Sequence, residues 1–320
     1  MVAPSLLPDE VTAAKLFRLH SSEPIRAVAR FPMGLRHCVY EIRTSTGAAL
    51  VVRIATPASR PDLEGGLYWH PRLKAAGVPV PVLYGSSLAD PFPYMLLERL
   101  PGSDLGQVYA ALSSAAKQAL AIRIVAIHKA VGGLPMARGF GFAHSFEQVD
   151  EAGQRSWTDV VAADVARSAE RILRVGKIEE RYVERARAVL TDHEAYLQSI
   201  RPVPFLDDMT TKNVIVDQGA LTGIVDTDEI CFGDPLFTLG LTNTALLSLG
   251  VDTDYVGYWL DAIGASRQQR TIVGAYSLVF CLNFMSELGQ VFNRRIEFNE
   301  SHAQHLRDIF KQLMKKLTSA

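Results

Sequence analysis

Phe205–Pro235 reads FLDDMTTKNVIVDQGALTGIVDTDEICFGDP and contains two short apolar runs, Val214–Val216 and Leu221–Val225. The turn formers Asp217-Gln218-Gly219 separate the two runs. Apolar, partly β-branched runs on either side of such a turn predict a β-hairpin.

Polar side chains flank the predicted hairpin. Asn213 precedes its first strand and Asp226 follows its second, with Asp228 and Glu229 just beyond. Because a hairpin brings its two ends together, we expect Asn213 and Asp226 to lie side by side. Carboxylate and amide oxygens at one end of a hairpin suit a hard cation such as magnesium. The alternative is that these residues only form turns, which Asp and Asn favour.

The spacing of these residues carries a resemblance. Asp208 and Asn213 are five positions apart, Asn213 and Asp226 are thirteen apart, and Gly233-Asp234-Pro235 follows. An Asp-x4-Asn loop before a hairpin that ends in a metal-binding Asp is typical of kinase-like folds. With the Gly-Asp-Pro element, the stretch resembles the aminoglycoside phosphotransferase family. The resemblance implies that Asp208 is the base that orients an acceptor hydroxyl, and that Asn213 and Asp226 hold magnesium on the nucleotide phosphates.

The stretch departs from the family pattern at three positions. Leu206 and Asp207 stand where the family usually has His and Gly, and Thr238 stands where an Asp often follows the Gly-Asp-Pro element. The His is generally a scaffold residue, so its replacement does not by itself argue against activity. Asp207 has a larger consequence, because a second carboxylate beside Asp208 can shift the titration of the first.

The N-terminal third predicts strands that cover a nucleotide. Strands around Val39–Ile42 and Leu50–Ile54 follow Gly34, which forms either an ordinary tight turn or a loop over the phosphates. The family places a cation like Arg53 at the phosphates, held by an acid of the next helix, which here is Glu64. An exposed ion pair is the alternative for Arg53, but its position inside an apolar strand favours the functional interpretation.

A hinge is predicted where this sheet ends. Tyr94–Leu97 reads as a buried strand and Glu98-Arg99-Leu100-Pro101-Gly102 follows it. In the family, main-chain groups at the positions of Glu98 and Leu100 bind the adenine edge. We therefore expect a nucleotide-covering lobe over residues 1–97 and a helical lobe with the catalytic loop and substrate site over 98–320.

The predicted second lobe is mostly helical. Apolar spacing and caps predict helices near 113–132, 156–175, 178–200, 236–249, 255–263, 271–290 and 302–317. His128 falls on an apolar helix face, which favours a buried core residue over a ligand.

Composition limits the possible partners. The 320 residues carry a net charge of −1, which gives no reason to expect nucleic-acid binding. The sequence contains no apolar stretch long enough for a bilayer and no secretory pattern at its start, so we expect no membrane association. Three scattered cysteines fit a reducing compartment, so we expect a cytoplasmic protein.

Together these features predict an α+β, bilobal protein-kinase-like fold with a small N-terminal β-sheet lobe and a larger, mostly helical C-terminal lobe. The resemblance implies a kinase that moves the γ-phosphoryl group of ATP or GTP, with magnesium, to a hydroxyl of a small molecule. The alternative is a nucleotide- or ligand-binding module of the same fold without turnover. The acceptor is not determined by the sequence.

Overall fold

The computed structural model describes residues 7–32, 36–89, 91–290 and 298–319. Gly34, where we expected a turn or a phosphate-covering loop, lies outside these residues. The strands are β1 Ile25–Arg30, β2 His37–Thr44, β3 Ala49–Ala55, β4 Leu83–Ser87, β5 Tyr94–Glu98, β6 Ser103–Asp104, β7 Gly141–Ala143, β8 Val203–Phe205, β9 Val214–Asp217, β10 Ala220–Ile224 and β11 Ile230–Gly233. The helices are α1 Glu10–Arg18, α2 Arg60–Ala75, α3 Leu105–Val108, α4 Ser114–Gly132, α5 Phe146–Ala152, α6 Trp157–Val175, α7 Arg181–Asp192, α8 Glu194–Gln198, α9 Leu236–Ser248, α10 Asp254–Ala262, α11 Arg267–Glu287 and α12 Glu300–Thr318.

The N-terminal part is an antiparallel sheet with strand order β1-β2-β3-β5-β4. Its central strand β3 places Arg53 between Val39 of β2 and Met95 of β5. One face of the sheet buries a small apolar cluster that includes Phe17 of α1 and Tyr40. The cation of β3 is therefore fixed in register by hydrogen-bonded strands on both sides.

Helix α2 connects this sheet to the rest of the molecule. Leu63, near its start, packs with Ala55 and Met95 of the sheet. Trp69 and Leu73, two turns later, belong to the large core of the helical part, and the Trp69 indole N–H donates to the Ala143 carbonyl of β7 at 2.9 Å. The two ends of α2 thus pack against different parts of the molecule.

The C-terminal part is mostly helical, with two three-stranded sheets of order β10-β9-β6 and β7-β11-β8. The Gly233-Asp234-Pro235 element anchors its core, because buried Asp234 accepts hydrogen bonds from Tyr196 at 2.9 Å and Tyr276 at 2.8 Å. Leu236 N–H also donates to Asp234 Oδ1 at 3.0 Å, at the start of α9. The Asp234 side chain therefore ties three segments of the helical part together.

The predicted fold class is confirmed: an antiparallel sheet precedes a mostly helical part. The predicted helix over 178–200 is divided into α7 and α8 at His193. His128 is partly buried with its ring edge-on to Trp259, and desolvation of the ring lowers its pKa to about 3. Within the described ranges, none of the helices combines the length and apolar character needed to cross a membrane.

Candidate active site

The loop that carries Asp208 is held by its own side chains. Thr210 Oγ1 donates to Asp208 Oδ1 at 2.7 Å, and Asn213 Nδ2 donates to the Asp208 main-chain carbonyl at 2.9 Å. The Asn213 main-chain N–H donates to the Thr210 carbonyl at 3.2 Å, which closes the loop. Asp208 is therefore presented on a short turn whose shape is set within six residues.

The hairpin after this loop brings Asn213 next to the segment that ends at Asp226. Strands β9 and β10 pair from Ala220 opposite Asp217 to Ile224 opposite Val214. Gln218 and Gly219 both have positive φ, 49° and 81°, as a tight two-residue hairpin turn with right-handed strand twist requires. At the open end, Val225 N–H donates to the Asn213 carbonyl at 3.0 Å. The expected juxtaposition of the two hairpin ends is thus observed.

Asp226 combines an unusual backbone with an accessible carboxylate. Its φ is 61°, a left-handed conformation that non-glycine residues seldom adopt and that is concentrated at functional sites. Its side chain is 54% exposed. Asn213 is buried, and its Oδ1 receives no hydrogen bond from any residue that the structure describes. These two oxygen donors suit magnesium, which usually takes one or two protein ligands together with substrate phosphates.

No dedicated metal cage accompanies this pair. Among the described residues, no group of three or more His, Cys, Asp or Glu side chains is arranged to hold a metal ion. A cation held by Asn213 and Asp226 would take its remaining ligands from water or substrate phosphates.

Arg53 reaches from β3 to the segment that follows the second strand of the hairpin. Its two Nη atoms bind both carboxylate oxygens of Asp228, at 2.6 and 2.5 Å, and Nη2 also lies 2.5 Å from Asp226 Oδ1. Burial alone would raise the pKa of Asp228, but the Arg53 charge and a hydrogen bond with His37 lower it below its ordinary value. Arg53 thus joins the N-terminal sheet to the candidate metal ligands.

Glu64 is not the partner of Arg53, which corrects the expectation from the sequence. Its Oε1 accepts from Arg60 Nε at 2.9 Å, one turn earlier in α2, and 45% of its side chain is exposed. The pair lies on the solvent side of the helix, whereas Arg53 points toward Asp228. Glu64 was expected because an acid of this helix usually pairs with the cation in the family. Residue spacing alone does not give the distance between Arg53 in β3 and Glu64 in α2.

The predicted hinge residues occupy the end of the sheet. Glu98 N–H donates to the Val82 carbonyl at 2.8 Å, and the Glu98 carboxylate accepts from Val82 N–H at 3.0 Å. Leu100 is buried, and its N–H has no backbone acceptor among the described residues. Of these two residues, the N–H of Leu100 is the one left available to a ligand.

The two consecutive carboxyls Asp207 and Asp208 have different surroundings. Burial, reinforced by the charges of Asp208 and Glu229, raises the pKa of Asp207 to about 8. Asp208 is exposed at the surface, but surrounding protein atoms displace part of the water around its carboxyl group. This partial desolvation raises the pKa of Asp208 to about 6, and the hydrogen bond from Thr210 opposes the rise. At neutral pH, Asp208 is mainly the carboxylate and Asp207 mainly the neutral acid.

The departures from the family pattern are accommodated around this loop. Leu206 is buried in the large core. Thr238 Oγ1, at the position where an Asp is common, donates to the main-chain carbonyl of Asp207. This bond joins the predicted catalytic loop to α9 without a charged group.

A second polar network, for which the sequence contains no local signal, lies beside Arg53. Asp62 Oδ1 accepts from Arg36 Nη1 at 2.9 Å and lies 3.2 Å from His144 Nε2, which is itself 3.3 Å from Glu229 Oε1. His37 Nε2 lies 3.1 Å from Asp228 Oδ2. Asp228 and Glu229 were visible as acids after the hairpin, but their partners lie in distant segments and gave no signal.

Two of three comparisons find proteins that are similar to this chain. The model of the family described as phosphotransferase enzyme family matches residues 27–269. A comparison with curated proteins finds no match. Among solved structures, a thermostable mutant of aminoglycoside phosphotransferase APH(4)-Ia, in complex with AMP-PNP and hygromycin B, has 16% identity and a TM-score of 0.66, covering 95% of this chain and 98% of that chain.

A second similar structure is the GDP and kanamycin complex of APH(2")-IIIa, with 15% identity and a TM-score of 0.70, covering 96% of this chain and 99% of that one. At such identities the structural likeness establishes the kinase-like fold alone. The family model spans most of the chain and includes the predicted catalytic loop, the hairpin and the Gly-Asp-Pro element. The chain therefore belongs to the phosphotransferase enzyme family.

Proposed function

We propose that this protein transfers the γ-phosphoryl group of ATP or GTP to a hydroxyl group of a small molecule, with magnesium. The observation that carries the proposal is the convergence of Asp208, Asn213 and Asp226 at one end of a hairpin, with Arg53 entering from the sheet. A carboxylate, two oxygen ligands and a guanidinium are the groups that such a transfer uses. Membership of the family supports the reaction class.

Asp208 is assigned the role of orienting the acceptor hydroxyl and accepting its proton. Its pKa of about 6 leaves the carboxylate as the main form at neutral pH, while keeping it basic enough to assist. The hydrogen bonds from Thr210 and Asn213 to this residue restrict its position. Pre-positioning of this kind is the main contribution that a protein makes to phosphoryl transfer.

Asn213 and Asp226 are assigned to magnesium and Arg53 to the phosphates. When bound, magnesium would neutralise charge on the transferred group. Arg is suited to phosphate because its planar fork binds two oxygens at once. Glu98 and Leu100 would bind the base through main-chain groups, at a boundary that we propose between residues 97 and 98. Gly34 remains a proposed phosphate-covering position from the sequence.

The identity of the acceptor is proposed only as a hydroxyl-bearing small molecule. Similar structures hold hygromycin B, kanamycin or streptomycin beside a nucleotide. These compounds are a reasonable start for a screen, together with amino alcohols and sugars, which are other acceptor classes of this family.

A second candidate is a nucleotide-binding module without turnover. The contact between Arg53 Nη2 and Asp226 Oδ1 favours it, because a protein cation then occupies one proposed metal ligand. Both candidates predict nucleotide binding, and only the first predicts product. Retention of Asp208 on a braced loop favours the kinase.

Calorimetric titration with ATP and with GTP, each with and without magnesium, tests the nucleotide site. We expect magnesium-dependent binding and a raised Tm. The Asp226→Asn variant should lose both binding and turnover, because it removes a ligand charge. Phosphate transfer is then measured over the acceptor panel. Absence of heat and of thermal stabilisation for both nucleotides would contradict the proposal, whereas binding without product for any acceptor would favour the module.

A further inference from the structure

Asp228 is a buried carboxylate that pairs with residues of the N-terminal sheet. It lies two residues after Asp226 and is 7% exposed. Arg53 Nη1 donates to its Oδ1 at 2.6 Å and Arg53 Nη2 to its Oδ2 at 2.5 Å. Buried His37 approaches the second oxygen at 3.1 Å. Both oxygens are therefore engaged by residues of β2 and β3.

This contact fixes the direction of the Arg53 guanidinium. A bidentate pair holds both the plane and the position of the guanidinium, unlike a single contact. The pair is well shielded, since 13% of the Arg53 side chain and 10% of the Asp228 side chain are exposed. Removing one member of such a pair leaves the other charge without compensation. Asp228 thus controls a cation that the proposed function assigns to phosphate.

Helix α2 leaves space for Asp228 instead of supplying an acid. A Cβ added to Gly66 would lie 2.5 Å from Asp228 Oδ1, and one added to Gly65 would lie 2.3 Å from the Asp228 carbonyl. Only bare backbone allows this approach. Glu64, the neighbouring acid of α2, is engaged with Arg60. Two independent features therefore agree: the carboxylate binds Arg53, and the helix is shaped around that carboxylate.

We propose that Asp228 is the positioning residue for Arg53 in nucleotide binding, in the place that an acid of helix α2 was expected to take. The inference rests on the proposed function. Arg53 Nη2 also contacts Asp226. If Asp226 binds a cation, the bidentate contact with Asp228 is the one that keeps Arg53 oriented. Asp228 touches neither nucleotide nor acceptor in this proposal and acts through Arg53.

A double-mutant cycle tests the proposal. The parent, Asp228→Asn, Arg53→Ala and the double variant are titrated with ATP and GTP, with and without magnesium. Asp228→Asn keeps the shape and removes the charge, and we expect nucleotide affinity to fall by about 10–100-fold, the usual effect of losing a partner behind a binding group. In the Arg53→Ala background the same change should have almost no further effect, because interacting residues are not additive.

Two further single variants serve as controls for the double-mutant cycle. Glu41→Gln removes another acid of the N-terminal sheet that is paired with an arginine, Arg43, and should leave nucleotide affinity at the parental value. Glu64→Gln tests the rival partner of Arg53, and the proposal requires a much smaller effect than that of Asp228→Asn. A larger effect of Glu64→Gln would overturn the proposal.

The remaining outcomes distinguish the inference from the proposed function. If the parent binds neither nucleotide, the proposed function fails and the role of Asp228 falls with it. If the parent binds and Asp228→Asn binds equally well, only the role of Asp228 is wrong. If Asp228→Asn weakens binding equally in both backgrounds, and only with magnesium present, Asp228 is a metal ligand and the positioning role is refuted. Circular dichroism and Tm of each variant confirm that the comparisons use folded protein.

Discussion

The two sides of the candidate site are held together by contacts of very different range. On the catalytic-loop side, the bonds from Thr210 and Asn213 to Asp208 span two and five residues. On the other side, the bonds to Asp228 from Arg53 and His37 span 175 and 191 residues. The bonds to Asp208 on the first side are therefore local in sequence, whereas those to Asp228 exist only when the sheet and the hairpin are docked. Variants on the two sides should therefore change different properties: turnover on the Asp208 side and nucleotide affinity on the Asp228 side.

The largest expected effect lies on the catalytic-loop side. Asp208→Asn keeps the size of the side chain but removes the proton acceptor, so turnover should fall by roughly 10²–10⁴. Affinity for magnesium-nucleotide should change little, because Asp208 is assigned to the acceptor. Initial rates and calorimetric titration of the same preparation check both statements. Asp207→Asn is the matched comparison, and loss of turnover there but not in Asp208→Asn would place the base one residue earlier.

The next prediction is a steric change on the side of the site that contains Asp228. Gly66→Ala places a Cβ 2.5 Å from Asp228 Oδ1, so the helix or the carboxylate must shift. We expect unfolding to become easier by about 1–3 kcal/mol, the usual range for overpacking, and nucleotide affinity to fall with it. Gly257→Ala is the control, since no atom lies within 4 Å of its Cβ position in α10. Urea denaturation and nucleotide titration measure the two effects, and equal behaviour of both variants would contradict the close approach.

The pH dependence of turnover sharpens the assignment of Asp208. Its pKa is raised to about 6, and the carboxylate is the active form, so activity should fall as pH drops through about 6. Below that value the rate falls about tenfold per pH unit. The charge of Asp226 contributes to the shift, so a cation bound at Asp226 moves the limb to lower pH. A kcat/KM profile between pH 4.5 and 8 that stays flat, with the protein folded throughout, would argue against Asp208 as base.

The pH dependence of stability tests the surroundings of Asp207. Its pKa is about 8 in the folded protein and roughly 4 when unfolded. The folded state therefore retains a proton that the unfolded state releases, so the free energy of unfolding falls as pH rises from about 4 to 8. Asp207→Asn cannot ionise and should show a weaker decline of Tm over that range. Parallel curves for parent and variant would show that Asp207 does not carry this dependence.

The sequence by itself determined the hairpin, the loop from Asp208 to Asn213 and most helices. The turn formers around Gln218-Gly219 predicted the hairpin, which is observed, and Ser113 is the N-cap of α4, where either Ser113 or Ser114 was expected. Short-range hydrogen bonds and side-chain periodicity carry this information, so a single segment is sufficient to predict it. The same locality explains why Asp208, Asn213 and Asp226 could be proposed together from spacings that resemble a family pattern.

Only the tertiary structure decided the partner of Arg53. Glu64 and Asp228 are both acids, and nothing in their spacing from Arg53 distinguishes them. The choice depends on the approach of α2, where Gly65 and Gly66 admit the Asp228 segment while Glu64 turns to Arg60. Likewise, the raised pKa of Asp207 depends on burial and on Glu229, which the fold brings near. Contacts of this kind arise from packing between distant segments, and packing is a property of the folded chain and not of any one stretch of it.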